Sequence, residues 1–96
     1  MIRRESGRIV VSGPVTLANV AAVLEEGRRH LEEGVGTVDL GEVTEIDSSL
    51  LAAIVAWLRD ARRAGRDLVF ANLPDSVRTI ARLYGVDSLI PISAAH

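Results

Sequence analysis

The chain predicts an α/β sandwich: a mostly parallel or mixed sheet of about four to five strands covered by three to four helices. Two observations carry this expectation. Short β-branched runs alternate with segments of helical period, and glycines punctuate nearly every switch between them. A third is length, since 96 residues argue for a single domain over residues 1–96. A chain of this size buries roughly 60–65% of its unfolded surface, enough for a modest core.

The elements follow in order. "GRIVVSG" reads as a strand ending at Gly13, and "MIRRES" before it as an edge strand. Leu17, Val20, Ala21, Leu24 and Leu31 then fall on one helical face, with Thr16 as N-cap and Gly34 as stop. Residues 37–40 form a buried strand bounded by glycines. A helix opens near Ser48 and runs to about Ala64, with Gly65 past its end. "RDLVFANL" is the next strand. Pro74 then starts a helix whose inward stripe is Val77, Ile80, Ala81 and Tyr84, stopped by Gly85. "DSLIPIS" is a last short extended piece. Such an order favours crossovers between parallel strands, with ligands and partners met at the strands' carboxyl ends.

Composition removes several classes of function. A formal net charge of -2 and three percent aromatic residues supply neither the basic stripe nor the stacking platform of a nucleic-acid binder. Cysteine is absent, which excludes disulfides, thiol catalysis and thiolate metal sites. His30 and His96 lie far apart in sequence and make a poor zinc pair. All 11 basic residues are arginine, so the phosphate-reaching lysine of a Walker A loop is missing. Without an apolar leader or a bilayer-length apolar run, a soluble cytoplasmic protein is expected.

The stretch "VTEIDSSLLAAIVAWL" holds the most information. At about 100° per residue, Leu51, Ile54, Val55, Leu58 and Ala61 share the arc expected to face the core. Leu50, Ala53, Trp57 and Ala64 share a second arc, and charges arrive only from Arg59 onward. The second arc reads as a docking face, because three helices do not easily bury every side of one, and tryptophan is enriched in binding hot spots. Asp47 or Ser48 can cap the helix, and Ser48 can also accept a phosphate, which adds about -1.5 to -2 charges. The carboxylates Asp39, Glu42, Glu45 and Asp47 cluster near one strand end, but no His, Cys or Lys accompanies them to complete a catalytic set.

A strand, then "VTEIDSSLLAAIVAW", then a further β-α unit resembles the STAS domain, shared by anti-sigma-factor antagonists and some transporter regulators. The resemblance spans about Arg8 to Ile92 and implies a STAS-like fold. It also implies that the hydroxyl directly after Asp47, Ser48, holds the phosphorylation or regulatory position. "VRTIARLYGVDSLIPI" is similar to the end of the STAS subunits of Mla-type ABC transporters, which maintain outer-membrane lipid asymmetry. That likeness implies a non-enzymatic partner of the cytoplasmic ATPase subunit, held peripherally at the inner membrane through it.

The expected partner-binding set is Asp47, Ser48, Ser49, Leu50, Ala53, Trp57 and Tyr84, with no catalytic residue, metal or cofactor. The expected partner is the ATPase; the alternative is an anti-sigma-factor kinase acting on Ser48. Antagonists of the second kind usually carry Gly two residues after the phosphorylated Ser. Leu50 stands there, which weighs toward a standing complex. No nucleic acid and no direct membrane insertion are expected, and an apolar docking face can self-associate in isolation.

Overall fold

The computed structural model describes residues 1–93; His96 lies outside them. Four strands and three helices follow in order: β1 (Ile2–Glu5), β2 (Arg8–Val15), α1 (Val20–Glu32), β3 (Thr37–Ile46), α2 (Ser48–Arg63), β4 (Val69–Ala71) and α3 (Asp75–Leu83). A 3-10 turn, Asp87–Leu89, closes the series. The sheet order is β1-β2-β3-β4; β1 lies antiparallel to β2, and β2, β3 and β4 run parallel. The expected mixed α/β sheet is present. Past the 3-10 turn, Ile92 bridges Phe70 in parallel and extends the sheet beside β4.

Local chemistry explains the joints. Ser6 and Gly7 both have positive φ, 47° and 81°, between the paired ends of β1 and β2. That is the two-residue turn whose twist matches a hairpin, and glycine adopts it without a Cβ penalty.

Strand alternation divides the sheet into two faces. Ile2, Ile9, Val11, Val38, Leu40 and Phe70 join one core cluster with Val23 of α1, Ile54 and Trp57 of α2, and Val77 of α3. The helices therefore cover this face. Arg3, Arg8 and Asp39 point to the other, where Arg3 pairs with Glu5 and Glu42, and Arg8 with Asp39.

Several expectations need correction. The first helix begins at Val20, with Asn19 rather than Thr16 at its N-cap position. The Asn19 side chain instead holds the preceding loop, accepting from Thr16 N (2.9 Å) and donating to Pro14 O (2.8 Å). Leu17 consequently sits in that loop, 79% exposed, and Ala21 is exposed; Val23 and Gly27 are the buried positions of α1. The last parallel strand is limited to Val69–Ala71.

β3 runs on to Ile46, well past Leu40. Twice β3 advances three residues against two of β2, from Asp39 to Glu42 and from Val43 to Ile46. Each irregularity adds an unpaired residue and twists the strand.

The largest correction concerns α2. Leu50, Ala53 and Trp57, expected to face a partner, are buried at 0%, 1% and 0% exposure. Val55, Leu58 and Ala61, expected in the core, are half-buried. The cause lies on α1. Gly27 has no side chain, so the Trp57 indole lies directly on the α1 backbone and donates from Nε1 to Leu24 O at 3.1 Å. With α1 on one side and α3 on the other, α2 buries its arc from Ala53 through Leu50 and Trp57 to Leu51.

Candidate docking site at the start of α2

Asp47 caps α2. Its Oδ1 accepts from Ser49 N at 2.9 Å and from the Ser49 hydroxyl. One orphan donor of the first turn is thereby satisfied. Its Oδ2 accepts from Leu17 N at 3.0 Å, across thirty positions of sequence. The carboxyl titrates below its ordinary range, first because of the Ser49 hydroxyl, then because of the Leu17 and Ser49 backbone N–H groups. The second irregularity of β3 sets Ile46 opposite Val15 and so brings Asp47 to the loop that carries Leu17.

Ser48 is not the cap. It is the first residue of α2, exposed, and its hydroxyl makes no hydrogen bond among the described residues. The cap role falls to Asp47 because its carboxylate can take both Ser49 and Leu17, leaving Ser48 turned outward. Ser49 is half-buried and committed to Asp47. Leu50, immediately after, is fully buried, so it offers nothing to a kinase or to a partner surface.

The outward stripe of α2 lies opposite Leu50 and Trp57. Ser48, Ala52, Val55, Ala56 and Arg59 are spaced by three or four residues, so they line one side of the helix. A shallow groove of about 530 Å³ runs along this stripe, with Tyr84 and Val86 as its other wall. Tyr84 is 68% exposed at the end of α3, and Leu83 beside it is 81% exposed. Of the seven expected partner-binding residues, Asp47, Ser48 and Tyr84 are thus exposed around this surface, Ser49 is half-buried, and Leu50, Ala53 and Trp57 are internal.

The four carboxylates near the strand end do not converge. Asp39 Oδ1 accepts from Gly41 N (2.8 Å) and Asn72 Nδ2 (3.0 Å), and its Oδ2 from Arg8 (3.0 Å). Glu42 takes a bidentate pair from Arg3 at 2.8 and 2.7 Å. Asp47 serves the cap, and Glu45 is exposed. Among the described residues, no group of three or more His, Cys, Asp or Glu is arranged to hold a metal ion. Nor is any helix there long and apolar enough to cross a membrane.

Sequence reasoning missed Leu17 as a neighbour of the site and the Ala52–Ala56 stripe as its floor. The Leu17 contact had no local signal, because it depends on the register of β2 against β3.

The chain belongs to the STAS domain family: residues 2–91 match the family described as "Mlab, STAS domain". Among solved structures it is similar to the anti-sigma factor antagonist SpoIIAA in its unphosphorylated form. That match has a TM-score of 0.70 and 13% identity, covering 98% of this chain and 87% of the other. It is also similar to a Thermotoga maritima protein described as an anti-sigma factor antagonist, with a TM-score of 0.74 and 18% identity, covering 96% and 83%. Identities this low speak for the shared fold alone. Comparison with curated protein sequences returns no match.

The cap makes a test of the local geometry. Replacing Asp47 with Ala removes the acceptor of Ser49 N and of Leu17 N together. Amide hydrogen exchange should then accelerate at both Leu17 and Ser49, and the melting temperature should fall. Unchanged exchange at Leu17 would show that the loop is held by other contacts.

Proposed function

We propose that this chain is a non-catalytic regulatory module that docks onto a partner protein through the Ser48 end of α2. Residues 1–96 act as one domain on this reading, and modification of Ser48 releases the partner. The observation that carries it is the outward Ser48 hydroxyl beside an apolar groove in which Ala52 and Tyr84 are exposed and Val55, Ala56 and Val86 half-buried. A phosphate there would add about -1.5 to -2 charges at the rim of an apolar contact. The helix N-terminus tolerates that charge, whereas an apolar interface does not.

Two partner classes remain in play. Burial of Leu50 removes the objection that a bulky residue would obstruct a kinase, which favours a phosphorylation switch of the anti-sigma-factor-antagonist type. The two structures of the same fold described as anti-sigma factor antagonists lend support to that reading. The second reading takes the ATPase subunit of an Mla-type lipid ABC transporter as partner, with the chain cytoplasmic and peripheral at the inner membrane. The description of the family itself favours it.

Both readings are testable at Ser48. Incubation with the cognate anti-sigma kinase and ATP should add a single phosphate by mass, absent in Ser48→Ala; an unchanged mass counts against the switch. Co-purification with the cognate ATPase tests the second reading. In either complex Ser48→Asp should weaken binding by about tenfold or more, since each 1.4 kcal/mol is a factor of ten. Equal binding of Ser48→Asp would remove this surface from the interface.

A further inference from the structure

We infer that a phosphate on Ser48 frees the loop between β2 and α1 from α2, because it displaces the Asp47 carboxylate that tethers that loop. This rests on the reading of Ser48 as the modified residue and adds how the change travels. In that reading the Ser48 hydroxyl loses its proton and takes the terminal phosphoryl group of ATP, and ADP leaves.

The loop carries its own bonding, with one exception. Thr16 N donates to the Asn19 side chain at 2.9 Å, Ala18 N to the Thr16 hydroxyl at 3.3 Å, and Asn19 N to Thr16 O at 3.0 Å. Asn19 in turn donates from Nδ2 to Pro14 O at 2.8 Å. Of the N–H groups from Thr16 to Asn19, Leu17 N alone leaves the loop, and it goes to Asp47 Oδ2 at 3.0 Å. The turn is therefore a preformed unit joined to the head of α2 by one hydrogen bond among the described residues.

Asp47 is the joint between this loop and the modified residue. Its Oδ1 serves Ser49 N and the Ser49 hydroxyl, and its Oδ2 serves Leu17 N. Those donors keep the carboxyl ionised. It cannot swing away from a neighbouring anion without giving up one of them. The Ser48 hydroxyl makes no hydrogen bond among the described residues, so a phosphate arrives without breaking an internal contact.

Of the two acceptors, Oδ2 gives way first. Oδ1 bonds inside its own turn of helix, whereas the loop on Oδ2 can swing out with its internal bonds intact. The N-terminal end of α2 and water satisfy the phosphate. Leu17 N turns to solvent on release, at a residue already 79% exposed. A dianion and a carboxylate on adjacent residues, on the order of 6 Å apart, repel in water by enough to shift a two-state equilibrium roughly tenfold. That is the scale of one net hydrogen bond.

Phosphoserine incorporated at Ser48 during translation tests this without the kinase. Amide hydrogen exchange is followed in the nitrogen-labelled chain at low salt, where the repulsion is least screened. Leu17 should exchange roughly tenfold faster than in the wild type, approaching its rate in Asp47→Ala, while Thr16 and Ala18 keep their protection. Ser48→Asn, polar but neutral, should leave Leu17 at the wild-type rate. Unchanged exchange at Leu17, equal acceleration in Ser48→Asn, or equal acceleration at Thr16 and Ala18 would overturn the inference. Binding of the phosphorylated chain to the cognate kinase or ATPase is measured separately. A partner lost while Leu17 stays protected keeps the docking reading and sinks the tether. A partner retained while Leu17 is freed keeps the tether and sinks the docking reading.

Discussion

Replacing Trp57 with Ala should destabilise the protein by about 3–5 kcal/mol, the range for deleting a fully buried large aromatic side chain. Trp57 is completely buried and joins α1 to α2 through ring packing and a hydrogen bond to Leu24 O, beside the Arg28–Asp60 ion pair that also links the two helices. Its loss leaves a cavity over a bare stretch of the α1 backbone at Gly27. The reciprocal change, Gly27→Ala, should also destabilise. A Cβ at Gly27 would lie 2.5 Å from Trp57 Cζ2 and 2.7 Å from Cε2. A rigid indole cannot yield at its tip, so overpacking of about 1–3 kcal/mol outweighs the helix propensity that alanine adds.

The pair carries a sign test. With Trp57 already replaced by Ala or Phe, the Gly27→Ala substitution should become neutral or stabilising, because the clash is gone and about 1 kcal/mol of propensity remains. Urea unfolding of the single and double variants reads this directly. Additive losses would show that Gly27 is needed for something other than the indole. Since about 1 kcal/mol shifts the melting temperature by 4–8 °C in a domain of this size, the Phe variant keeps the cycle measurable if the Ala variant is unfolded.

The second large effect belongs to Asp39. Burial alone would push its carboxyl up, but hydrogen bonds from Asn72, Gly41 N and Arg8 outweigh it and hold the group below its ordinary range. Replacement by Ala leaves these three donors without their acceptor and should cost about 2 kcal/mol.

The pH dependence has a definite sign. A carboxyl whose pKa is lower folded than unfolded stabilises above the unfolded value, near about 3.9, and that stability disappears as pH falls through the lower folded value. Glu42, held down first by Arg3, and Asp47 shift in the same direction. The wild type should therefore weaken steeply below about pH 4, and the gap between wild type and Asp39→Ala should narrow there. A gap that stays constant from neutral to acid pH would mean that Asp39 acts by shape rather than charge.

Much of this molecule was legible in its sequence. In α3, Val77, Ile80 and Ala81 pack on the core as the stripe implies, whereas Tyr84, expected on the same inward stripe, is 68% exposed at the helix end. The glycines after the helices fell where the chain turns. The mixed sheet followed from the alternation of elements. The outer half of β3 was not legible, because residues 41–46 are mostly polar and exposed and are held by pairing to β2 instead of burial.

The rotation of α2 was hidden for a different reason. Its first half is apolar nearly all round, so periodicity alone cannot choose a face. The choice is made by the missing side chain at Gly27, thirty positions away, which opens a seat for Trp57. At the site, the order Asp-Ser-Ser offered two caps, and the Leu17 N–H, visible only in three dimensions, favours the aspartate.

The borders of the sheet have a consequence for how this protein meets others. At one border Ile92 and its neighbours occupy β4, with Phe70 N bonded to Pro91 O and Ser93 N to Phe70 O at 2.9 Å each. The other border, β1, presents Arg3, Arg4 and Glu5 in succession. A short edge strand carrying charged side chains in succession is a poor seed for pairing with a second sheet. Neither border invites the lateral joining of sheets that seeds fibres and strand-exchanged aggregates. The chain can therefore expose apolar residues along its helices without offering β-sheets a template for growth.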